Sequence, residues 1–582
     1  MIRSNRFSRR VALALGVLTF VVCVTSHTIA DSFVSAKSTS WIAKSNENTN
    51  LLVKAESNSN CTDQATSSDA LLQLDAKFVQ CYDQNINNTI KTLQTKLNQE
   101  SDSAIKIDLK ILIDAAQQEL RSEALDRQYR LPYVNLPKEI AESINDAFEK
   151  SPQTAIRQLK RYAGIDSTPI ATIATTPIQN RLKQPNPFFP EKAELEKELA
   201  NTTVQIERIR TLFEQRRVNG YQEAYAKLKS QLNDYAAFVR QTVLPLSRTS
   251  FRLPSELYAA KLAERGVEIG VDELVRQARS SFQTIQQEMD KLAPQVAKQK
   301  GLQSIGYRDV IRALKQEQLP ANQILEHYQQ RQKQIEAIVR REKLVSLPDR
   351  SLTIRLTNDR ENSSFPVPQY SPPRRSQKTA GVFIIPLLKE QTKPSARTYD
   401  DFTYPAVSWT LTAHEGRPGH DLQFTTIQDK GTSDARSRFG YNPANHEGWA
   451  LYAETITLPF MSIEGQFISL QFQLLRAARA FLEPELHLGR ITLDEALRVL
   501  TEDVGFSKFF AQQELRRYTT FLPGHAPSYF YGYQRLMQLR TEAEQKLGKQ
   551  FDQQKFHDFI LAQGFMPQRF LREAVFEQFL AK

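Results

Sequence analysis

Long apolar segments are missing from this 582-residue sequence beyond its N-terminus, and so are basic runs interleaved with aromatic residues. Without about 20 consecutive apolar residues, the mature chain has no integral membrane span. Lysine and arginine are mixed with acidic residues along most helical stretches, which is typical of solvated helix faces. The net charge of +11 therefore does not indicate a nucleic-acid partner, because no surface for stacking bases accompanies it.

The N-terminus differs from the rest of the chain. Four arginines precede an apolar run over residues 11–25, and small residues follow up to Ala30. This pattern is typical of a signal peptide, and the apolar run is short for an uncleaved membrane anchor, which is the alternative. We expect cleavage near Ala30 and export of the mature protein to the periplasm or the medium.

Cysteine is scarce as well, with three in the whole chain. Removal of a signal peptide takes Cys23 away and leaves Cys61 and Cys81. An even pair in an oxidising compartment predicts a disulfide bond between these two, with two free thiols as the alternative. We assign this bond no catalytic role.

The remaining sequence predicts a mainly α-helical protein. Residues 31–68 are rich in serine, asparagine, lysine and threonine, which indicates a flexible linker. Apolar residues then recur at three- and four-residue spacing through an N-terminal helical region, residues 69–345. Residues 346–582 are predicted to form the catalytic region. Two short runs at 352–356 and 381–386 indicate a small sheet there, and helical patterning follows it.

The segment from His414 to His420 carries the strongest chemical signal. A catalytic zinc ion needs three protein ligands, an open position for water and a carboxylate that takes the proton of that water. In many zinc peptidases two histidines lie four residues apart on one helix, and the glutamate after the first is the base, here Glu415. His414 and His420 are six apart, so on an unbroken helix they would lie roughly 120° apart around the axis and ~9 Å along it.

Pro418 and Gly419 explain how two histidines at this separation could still bind one metal ion. Pro418 has no N–H, its ring clashes with the carbonyl of His414, and Gly419 permits backbone angles that are closed to other residues. We therefore predict that the helix bulges or breaks after Arg417 and brings His420 back beside His414.

A second segment supplies a candidate third ligand. Glu447 and Glu454 are seven residues apart, so they lie on one face of a helix that also carries Trp449. Two histidines and a glutamate form a common ligand set of catalytic zinc, and carboxylates are costly to bury without a partner. We predict that Glu447 is the ligand and that Glu454 accepts a hydrogen bond from a ligand imidazole. The alternative is that both face solvent or form ion pairs.

His525 and Tyr529 lie four residues apart, on one face of a further predicted helix. Tyrosine or histidine can donate a hydrogen bond to the oxyanion that develops opposite the metal. We predict that Tyr529 is this donor, with His525 beside it; an aromatic packing stripe is the alternative.

These segments together resemble the bacterial domain-of-unknown-function 885 family, whose members look like zincin metallopeptidases. The family patterns are H-E-x-x-P-G-H-H-x-Q, E-G-W-A-L-Y-x-E and P-G-Q-A-x-S-Y. The sequence matches them at His414, Glu415, Pro418, Gly419, His420 and Gln423, then at residues 447–452 and Glu454, then at Pro523, Gly524, Ala526, Ser528 and Tyr529.

Two positions depart from the family patterns. Asp421 stands where the family has a second histidine, which leaves His420 as the ligand and allows Asp421 to be either a ligand or a support for one. His525 stands where the family has glutamine, and this change could alter substrate preference or oxyanion stabilisation.

The resemblance implies a large multi-helix zincin-like body with a small β-sheet near a deep cleft, similar in architecture to angiotensin-converting-enzyme-like peptidases. In such a fold Val382–Ile385 would be the cleft-edge strand on which an extended peptide aligns. The expected function is an exported zinc-dependent peptidase that holds one Zn²⁺ on His414, His420 and Glu447, uses Glu415 as general base and hydrolyses short or unfolded peptides. The alternatives are a metal-dependent amidase or esterase, and a non-catalytic periplasmic binding or scaffold protein that retains the fold.

Overall fold

The computed structural model describes residues 40–57, 61, 71, 76–165, 167–358, 367–373, 380–386 and 401–581. In this part of the chain helices dominate and the strands form one three-stranded sheet, which confirms the predicted mainly α-helical fold. The signal peptide expected over residues 1–30 lies outside the described residues. A disulfide bond joins Cys61 to Cys81.

The chain divides into two compact units, and the first contains the described residues of Asn50–Leu93 and Ala116–Phe251. Three helices at the start of the chain contribute residues to both units: α1 (Ser40–Glu56), α2 (Ala76–Gln99) and α3 (Ser103–Tyr129). Six shorter helices complete the first unit: α4 (Leu136–Lys150), α5 (Pro152–Tyr162), α6 (Ile170–Leu182), α7 (Lys192–Ala200), α8 (Thr202–Gln215) and α9 (Gln222–Phe238). Their apolar faces form one core, in which the rings of Phe213 and Tyr221 stack with centroids 4.8 Å apart.

The second unit contains the described residues of Val11–Thr49, Gln94–Ala115 and Arg252–Lys582. Its first half contains helices α10 (Ser255–Glu264), α11 (Val271–Lys300), α12 (Tyr307–Lys315) and α13 (Ala321–Arg341), followed by strands β1 (Thr353–Leu356), β2 (Gln369–Ser371) and β3 (Val382–Ile385). The remaining helices are α14 (Val407–Glu415), α15 (His420–Lys430), α16 (Pro443–Thr457), α17 (Ile463–His487), α18 (Leu493–Arg498), α19 (Lys508–Arg516), α20 (Ala526–Leu547), α21 (Gln553–Ala562) and α22 (Gln568–Ala574).

Helix α17 forms the centre of the second unit. Nearly every residue from Phe467 to its C-terminal end is buried. Helix α11 packs against it, with the ring of Phe282 edge-on to that of Phe481. This packing ties residues 252–345 to the second unit, so the division of the chain does not coincide with the boundary predicted between residues 345 and 346.

The linker predicted over residues 31–68 is wrong for residues 40–56, which form α1. Small polar residues replace apolar ones on the buried face of this helix, so the sequence shows little apolar periodicity. Ser45 is fully buried and donates a hydrogen bond of 2.5 Å to Oδ2 of Asp108, and Oδ1 of Asn46 accepts from the backbone N–H of Asp434. These polar contacts define the position of the helix where hydrophobic contacts are few.

The small sheet has the strand order β1-β3-β2. Strand β3 pairs in parallel with β1 and antiparallel with β2, with Phe383 opposite both Ile354 and Tyr370. Both predicted strands exist, but the expectation that Val382–Ile385 borders the cleft is wrong. Its hydrophobic run fits a central strand, and β2 is the sheet edge that lines the cavity described below.

Candidate metal centre

The helix that carries the first motif is interrupted between its two histidines, as predicted. Helix α14 ends at Glu415 and α15 begins at His420, with a cis peptide bond between Arg417 and Pro418. A Cβ atom on Gly419 would lie 1.9 Å from the carbonyl oxygen of His414, so only glycine fits there. The interruption brings the ring centroids of His414 and His420 to 4.8 Å from each other.

Glu447 on α16 completes a cluster of three ligand atoms. Its Oε2 atom lies 3.5 Å from Nε2 of His414 and 3.4 Å from Nε2 of His420, and all three ligand atoms lie within 4.8 Å of one another. Ligands bound tetrahedrally to zinc at ~2.0–2.2 Å are separated by roughly 3.3–3.6 Å. The two distances to Oε2 of Glu447 match this separation, and Oε2 is buried without a hydrogen-bond partner among the described residues. The donor set therefore fits a zinc ion.

The electrostatics of the cluster favour a positive charge at its centre. Burial would lower the pKa of His414, but the neighbouring carboxylates of Glu447 and Glu454 outweigh burial and raise it to about 9. Burial would likewise raise the pKa of Glu447, but the imidazoles of His414 and His420 close to its carboxylate hold it well below its usual range. Two buried carboxylates thus face the imidazoles, and a divalent cation satisfies the same negative potential as a proton does.

Glu454 lies about two helical turns after Glu447 on α16 and contacts the cluster. Its Oε1 atom lies 2.7 Å from Nδ1 of His414, and the same carboxylate accepts a hydrogen bond from the hydroxyl of Thr410. A carboxylate in this position holds the imidazole in the tautomer that presents Nε2 to a metal. The structure therefore brings Glu454 to the place that the seven-residue spacing predicts.

A cavity with a volume of about 180 Å³ is lined by His414, His420 and Glu447, and Glu415 lines it beside them. Its side chain is 8% exposed and makes no hydrogen bond with the described residues. Burial raises the pKa of Glu415, while the nearby His414 and His420 oppose this shift. A carboxylate that lines a cavity is of the type that can exchange a proton with a small molecule there.

The hydrogen bonds of Trp449 explain why the second motif contains a tryptophan. Its indole Nε1–H donates to the carbonyl oxygens of Pro418 at 3.0 Å and Gly419 at 3.3 Å. These carbonyls belong to the break between α14 and α15, where regular helical hydrogen bonds are lost. The indole thus stabilises the break between α14 and α15 that brings the two histidines together.

Helices α16 and α20 approach each other closely through two glycines. A Cβ atom on Gly448 would lie 2.5 Å from the carbonyl carbon of Gly532, and a Cβ atom on Gly532 would lie 1.7 Å from the oxygen of Ala444. This contact brings Tyr529 and His525 to the wall of the cavity that the metal ligands line. The third motif therefore joins the first two at a single site.

Tyr529 and His525 are both buried and both neutral. Burial and the negative charge of Glu447 raise the pKa of Tyr529, so its phenol keeps its proton. Burial, followed by the charge of Arg265, lowers the pKa of His525 well below its usual range. Nδ1 of His525 has no hydrogen-bond partner among the described residues, and the two rings meet edge-on at 5.5 Å.

Asp421 does not support the site as predicted. Its carboxylate accepts from Nε of Arg417 at 2.7 Å and from the hydroxyl of Tyr370 at 3.0 Å. Nδ1 of His420 has no hydrogen-bond partner among the described residues, so Asp421 neither ligates a metal nor orients this imidazole. The buried Arg417 forms an ion pair with this carboxylate. The four-residue spacing of Arg417 and Asp421 is the signal that could have revealed the pair.

Sequence reasoning missed the stacking partner of His420. The ring of His446 lies parallel to it with centroids 3.9 Å apart, and its Nδ1 contacts Oε1 of Gln423 at 3.2 Å. Burial lowers the pKa of His446 well below its usual range, so it adds a neutral ring beside the ligand. The adjacency of His446 to Glu447 in the second motif was the available signal.

Sequence reasoning also missed several cationic and aromatic side chains that line the cavity. Arg476 and Arg479 come from α17, Arg517 follows α19, and Tyr441 precedes α16. Two arginines three residues apart, with alanine and leucine around them, were the available signal, because an unpaired buried guanidinium is costly.

A match to known proteins accompanies this geometry. The profile of the family described as bacterial protein of unknown function (DUF885) matches residues 61–575. The chain belongs to this family. Its three motifs, which lie apart in the DUF885 sequence, meet at the cavity described above.

Two solved structures share the DUF885 fold of this chain. One is a candidate lipoprotein of unknown function from Shewanella oneidensis, with a TM-score of 0.67 and 19% identity over 93% of this chain and 100% of the other. The second is a candidate lipoprotein from Colwellia psychrerythraea, with a TM-score of 0.60 and 17% identity over 93% of this chain and 98% of the other. A comparison with curated proteins finds no significant match. Across the described ranges, no helix has the length and apolar character needed to cross a membrane.

Proposed function

We propose that this protein is an exported zinc-dependent peptidase that hydrolyses short or unfolded peptides. The observation that carries the proposal is the convergence of Nε2 of His414, Nε2 of His420 and Oε2 of Glu447 within 4.8 Å of one another, with Oε2 at distances from both imidazoles that suit one tetrahedral ion. A free buried glutamate beside these ligands, Glu415, is the group that hydrolysis requires and that a binding protein does not.

Each residue has a separate task in the proposed reaction. His414, His420 and Glu447 would hold the zinc ion, and this ion would supply the Lewis acidity that makes water a nucleophile at neutral pH. Glu415 accepts the proton of the attacking water and passes it to the nitrogen of the leaving amine. Tyr529 donates a hydrogen bond to the carbonyl oxygen as negative charge develops on it, because its raised pKa keeps the phenol protonated.

Export is part of the proposal. The arginine-rich start, the apolar run and the small residues near Ala30 have the pattern of a signal peptide. The disulfide bond between Cys61 and Cys81 suits an oxidising compartment. Both solved structures with this fold are described as candidate lipoproteins, which are exported proteins.

The test combines metal content with peptide cleavage. The purified wild type is expected to contain one zinc ion per chain and to cleave unstructured peptides. Glu415→Gln should retain the metal and lose at least about 100-fold in kcat/KM, since it removes the base and leaves the ligands unchanged. The exposed Glu326→Gln is the matched control and should behave as wild type. Full peptidase activity in zinc-loaded Glu415→Gln would contradict the role of this residue.

The same assay separates the two alternatives. An amidase or esterase would bind zinc and depend on Glu415, but it would cleave small amides or esters and leave a peptide library intact. A non-catalytic protein would cleave neither class. The contacts of Asp421 with Arg417 and Tyr370 favour an enzyme over a non-catalytic protein. They show that the departure from the family pattern at this position leaves the three proposed ligands in place.

A further inference from the structure

Three arginines line the cavity on the side of helix α17 and the segment after α19. The side chains of Arg476 and Arg479 are 6% and 7% exposed, and that of Arg517 is 16% exposed. They share the cavity with the metal ligands and with Tyr529. The guanidinium carbons of Arg479 and Arg517 lie 4.9 Å and 5.7 Å from the centre of the Tyr529 ring, so the proposed oxyanion donor is in contact with the cluster.

The carboxylates that contact these arginines are too few to neutralise them. Glu514 accepts from Nε of Arg479 at 2.6 Å and from Nη2 of Arg517 at 3.2 Å, so one negative charge serves two cations. Arg476 reaches Glu454 only at 3.5 Å, and Glu454 is already bonded to the His414 imidazole. Three positive charges thus form hydrogen bonds with only two carboxylates, and one of these carboxylates also binds the His414 imidazole.

Two buried donors in the cluster have no acceptor. The Nε atoms of Arg476 and Arg517 make no hydrogen bond with the described residues. Burial lowers the pKa of Arg476, and its attraction to Glu454 only partly opposes this. A buried guanidinium with unsatisfied N–H groups is unfavourable unless an anion enters, and planar carboxylates fit guanidinium donors best.

The arginines belong to a buried part of the second unit. Arg476 and Arg479 are on α17, where nearly every residue from Phe467 onward is buried. The main chain within a peptide has no negative charge to pair with a buried guanidinium, whereas the end of a chain has a carboxylate. The aromatic rings of Phe402, Phe472 and Phe510 line the same space and suit an apolar terminal side chain.

We propose that the arginine cluster binds the free α-carboxylate of the substrate, which makes the protein a carboxypeptidase. This inference rests on the proposed function and names its substrate class. Water adds its oxygen to the carbonyl carbon of the scissile bond, the C–N bond breaks, and the proton goes to the nitrogen of the released C-terminal fragment. The products are a shortened peptide with a new carboxylate and a fragment that keeps the original one.

Three peptides that share one sequence test this inference. The first ends in phenylalanine with a free carboxylate, the second ends in phenylalanine amide, and the third ends in glutamate amide. The zinc-loaded protein is expected to cleave the first at least about 100-fold more efficiently than the second, since a site built for a charged group rejects its neutral analogue. The third should be as poor a substrate as the second.

Other outcomes overturn the inference in distinguishable ways. Equal cleavage of all three peptides would refute carboxylate recognition and leave the proposed peptidase function in place. Good cleavage of the glutamate amide would show that the cluster binds an acidic side chain and not the chain terminus. Failure to cleave any peptide, with zinc bound, would count against the proposed function itself.

A variant at the least buried arginine tests the cluster directly. Arg517→Gln leaves Glu514 bonded to Arg479 and to the hydroxyl of Tyr518, so the fold should survive. KM for the free-acid peptide should rise about 10- to 100-fold, with little change for the amide. Arg517→Lys should recover part of this loss, and the exposed Arg516→Gln is the matched control.

Binding provides a measurement that does not depend on turnover. In Glu415→Gln, calorimetric titration should show that the free-acid peptide binds at least about tenfold more tightly than its amide. Adding Arg517→Gln to this variant should reduce the difference. Equal affinities for acid and amide in Glu415→Gln would overturn the inference.

Discussion

Nδ1 of His414 lies 2.7 Å from Oε1 of Glu454, and this hydrogen bond joins the first motif to the second. The partner helix α16 also carries Glu447, so one helix provides both a ligand and the support of another ligand. Burial opposes the negative charge of Glu454, but Arg476 and the His414 imidazole outweigh it and lower the pKa of this carboxyl.

Replacing Glu454 by glutamine should weaken zinc binding about 10- to 100-fold, since the amide no longer fixes the imidazole as a carboxylate does. Competition with a chromophoric chelator measures this affinity. The exposed Glu326→Gln should bind zinc as wild type does. Unchanged affinity in Glu454→Gln would show that the hydrogen bond to His414 has no influence on the metal.

Removing the metal should destabilise the fold, because two buried imidazoles and the largely buried carboxylate of Glu447 then lose their common partner. At a free zinc concentration about 1,000 times the dissociation constant, the loss is about 4 kcal/mol in the free energy of unfolding. Thermal unfolding with and without a strong chelator measures the change. The double variant His414→Ala, His420→Ala should show no response to the chelator, and an equal response in both proteins would place the metal elsewhere.

Gly419→Ala should disrupt the interruption between α14 and α15. The added methyl group would lie 1.9 Å from the carbonyl oxygen of His414, so the backbone that carries a ligand must move. We expect a loss of about 1–3 kcal/mol in stability together with the loss of zinc. Gly270→Ala is the control, because a Cβ atom there meets open space at an ordinary negative φ. A zinc-loaded Gly419→Ala variant of normal stability would contradict this account.

Tyr529→Phe should lower kcat about 10²- to 10³-fold while zinc content stays unchanged, since it removes one donor to the developing oxyanion. Steady-state kinetics and metal analysis together measure this. Tyr533→Phe on the same helix is the matched control, because its hydroxyl contacts Thr455 at 3.2 Å and lies outside the cavity lining. Equal losses in both variants would indicate a packing role for the helix and no specific donor.

His557 should make the fold sensitive to acid. Its Nε2 contacts the hydroxyl of Tyr452 at 2.6 Å and its Nδ1 contacts the carbonyl of Leu344 at 2.6 Å. Burial lowers its pKa to about 4, although the Leu344 carbonyl opposes this. Between pH ~6.5 and about 4 the unfolded chain takes up a proton that the folded chain does not, so stability falls as the pH falls, by up to about 3 kcal/mol.

Urea unfolding at pH 7.5 and pH 4.5 measures this dependence. His557→Gln should lose less stability between these two values than wild type does, because glutamine does not titrate. Other buried histidines are present in both proteins, so the difference between them reports on position 557. Parallel losses would assign the acid sensitivity to other groups.

The local sequence predicted several elements well because its signals are local. The spacing of apolar residues predicted the helical region over residues 69–345, which contains α11 and α13, and the short run at 381–386 predicted strand β3. The interruption after the first histidine followed from the chemistry of Pro418 and Gly419 alone. These features depend on backbone sterics and on periodicity, which neighbouring residues determine.

The errors arise where distant residues decide the outcome. Helix α1 lacks an apolar stripe, and its polar face is buried by contacts such as that of Ser45 with Asp108, 63 residues away. Strand β3 is central and not at the edge because β2 pairs with its second side. Asp421 was predicted to belong to the site, but its carboxylate accepts hydrogen bonds from Arg417 and Tyr370 instead. Pairing and capture of this kind follow from tertiary packing.

Local chemistry alone identified the residue types of the proposed zinc site and their three motifs, because ligand identity and helix spacing are properties of short segments. The convergence of His414, His420 and Glu447, and the arginines that line the same cavity, depended on how α14, α16 and α17 pack. Close helix contacts at glycines and the burial of charges involve residues far apart in the chain, so only the folded arrangement could decide which side chains meet.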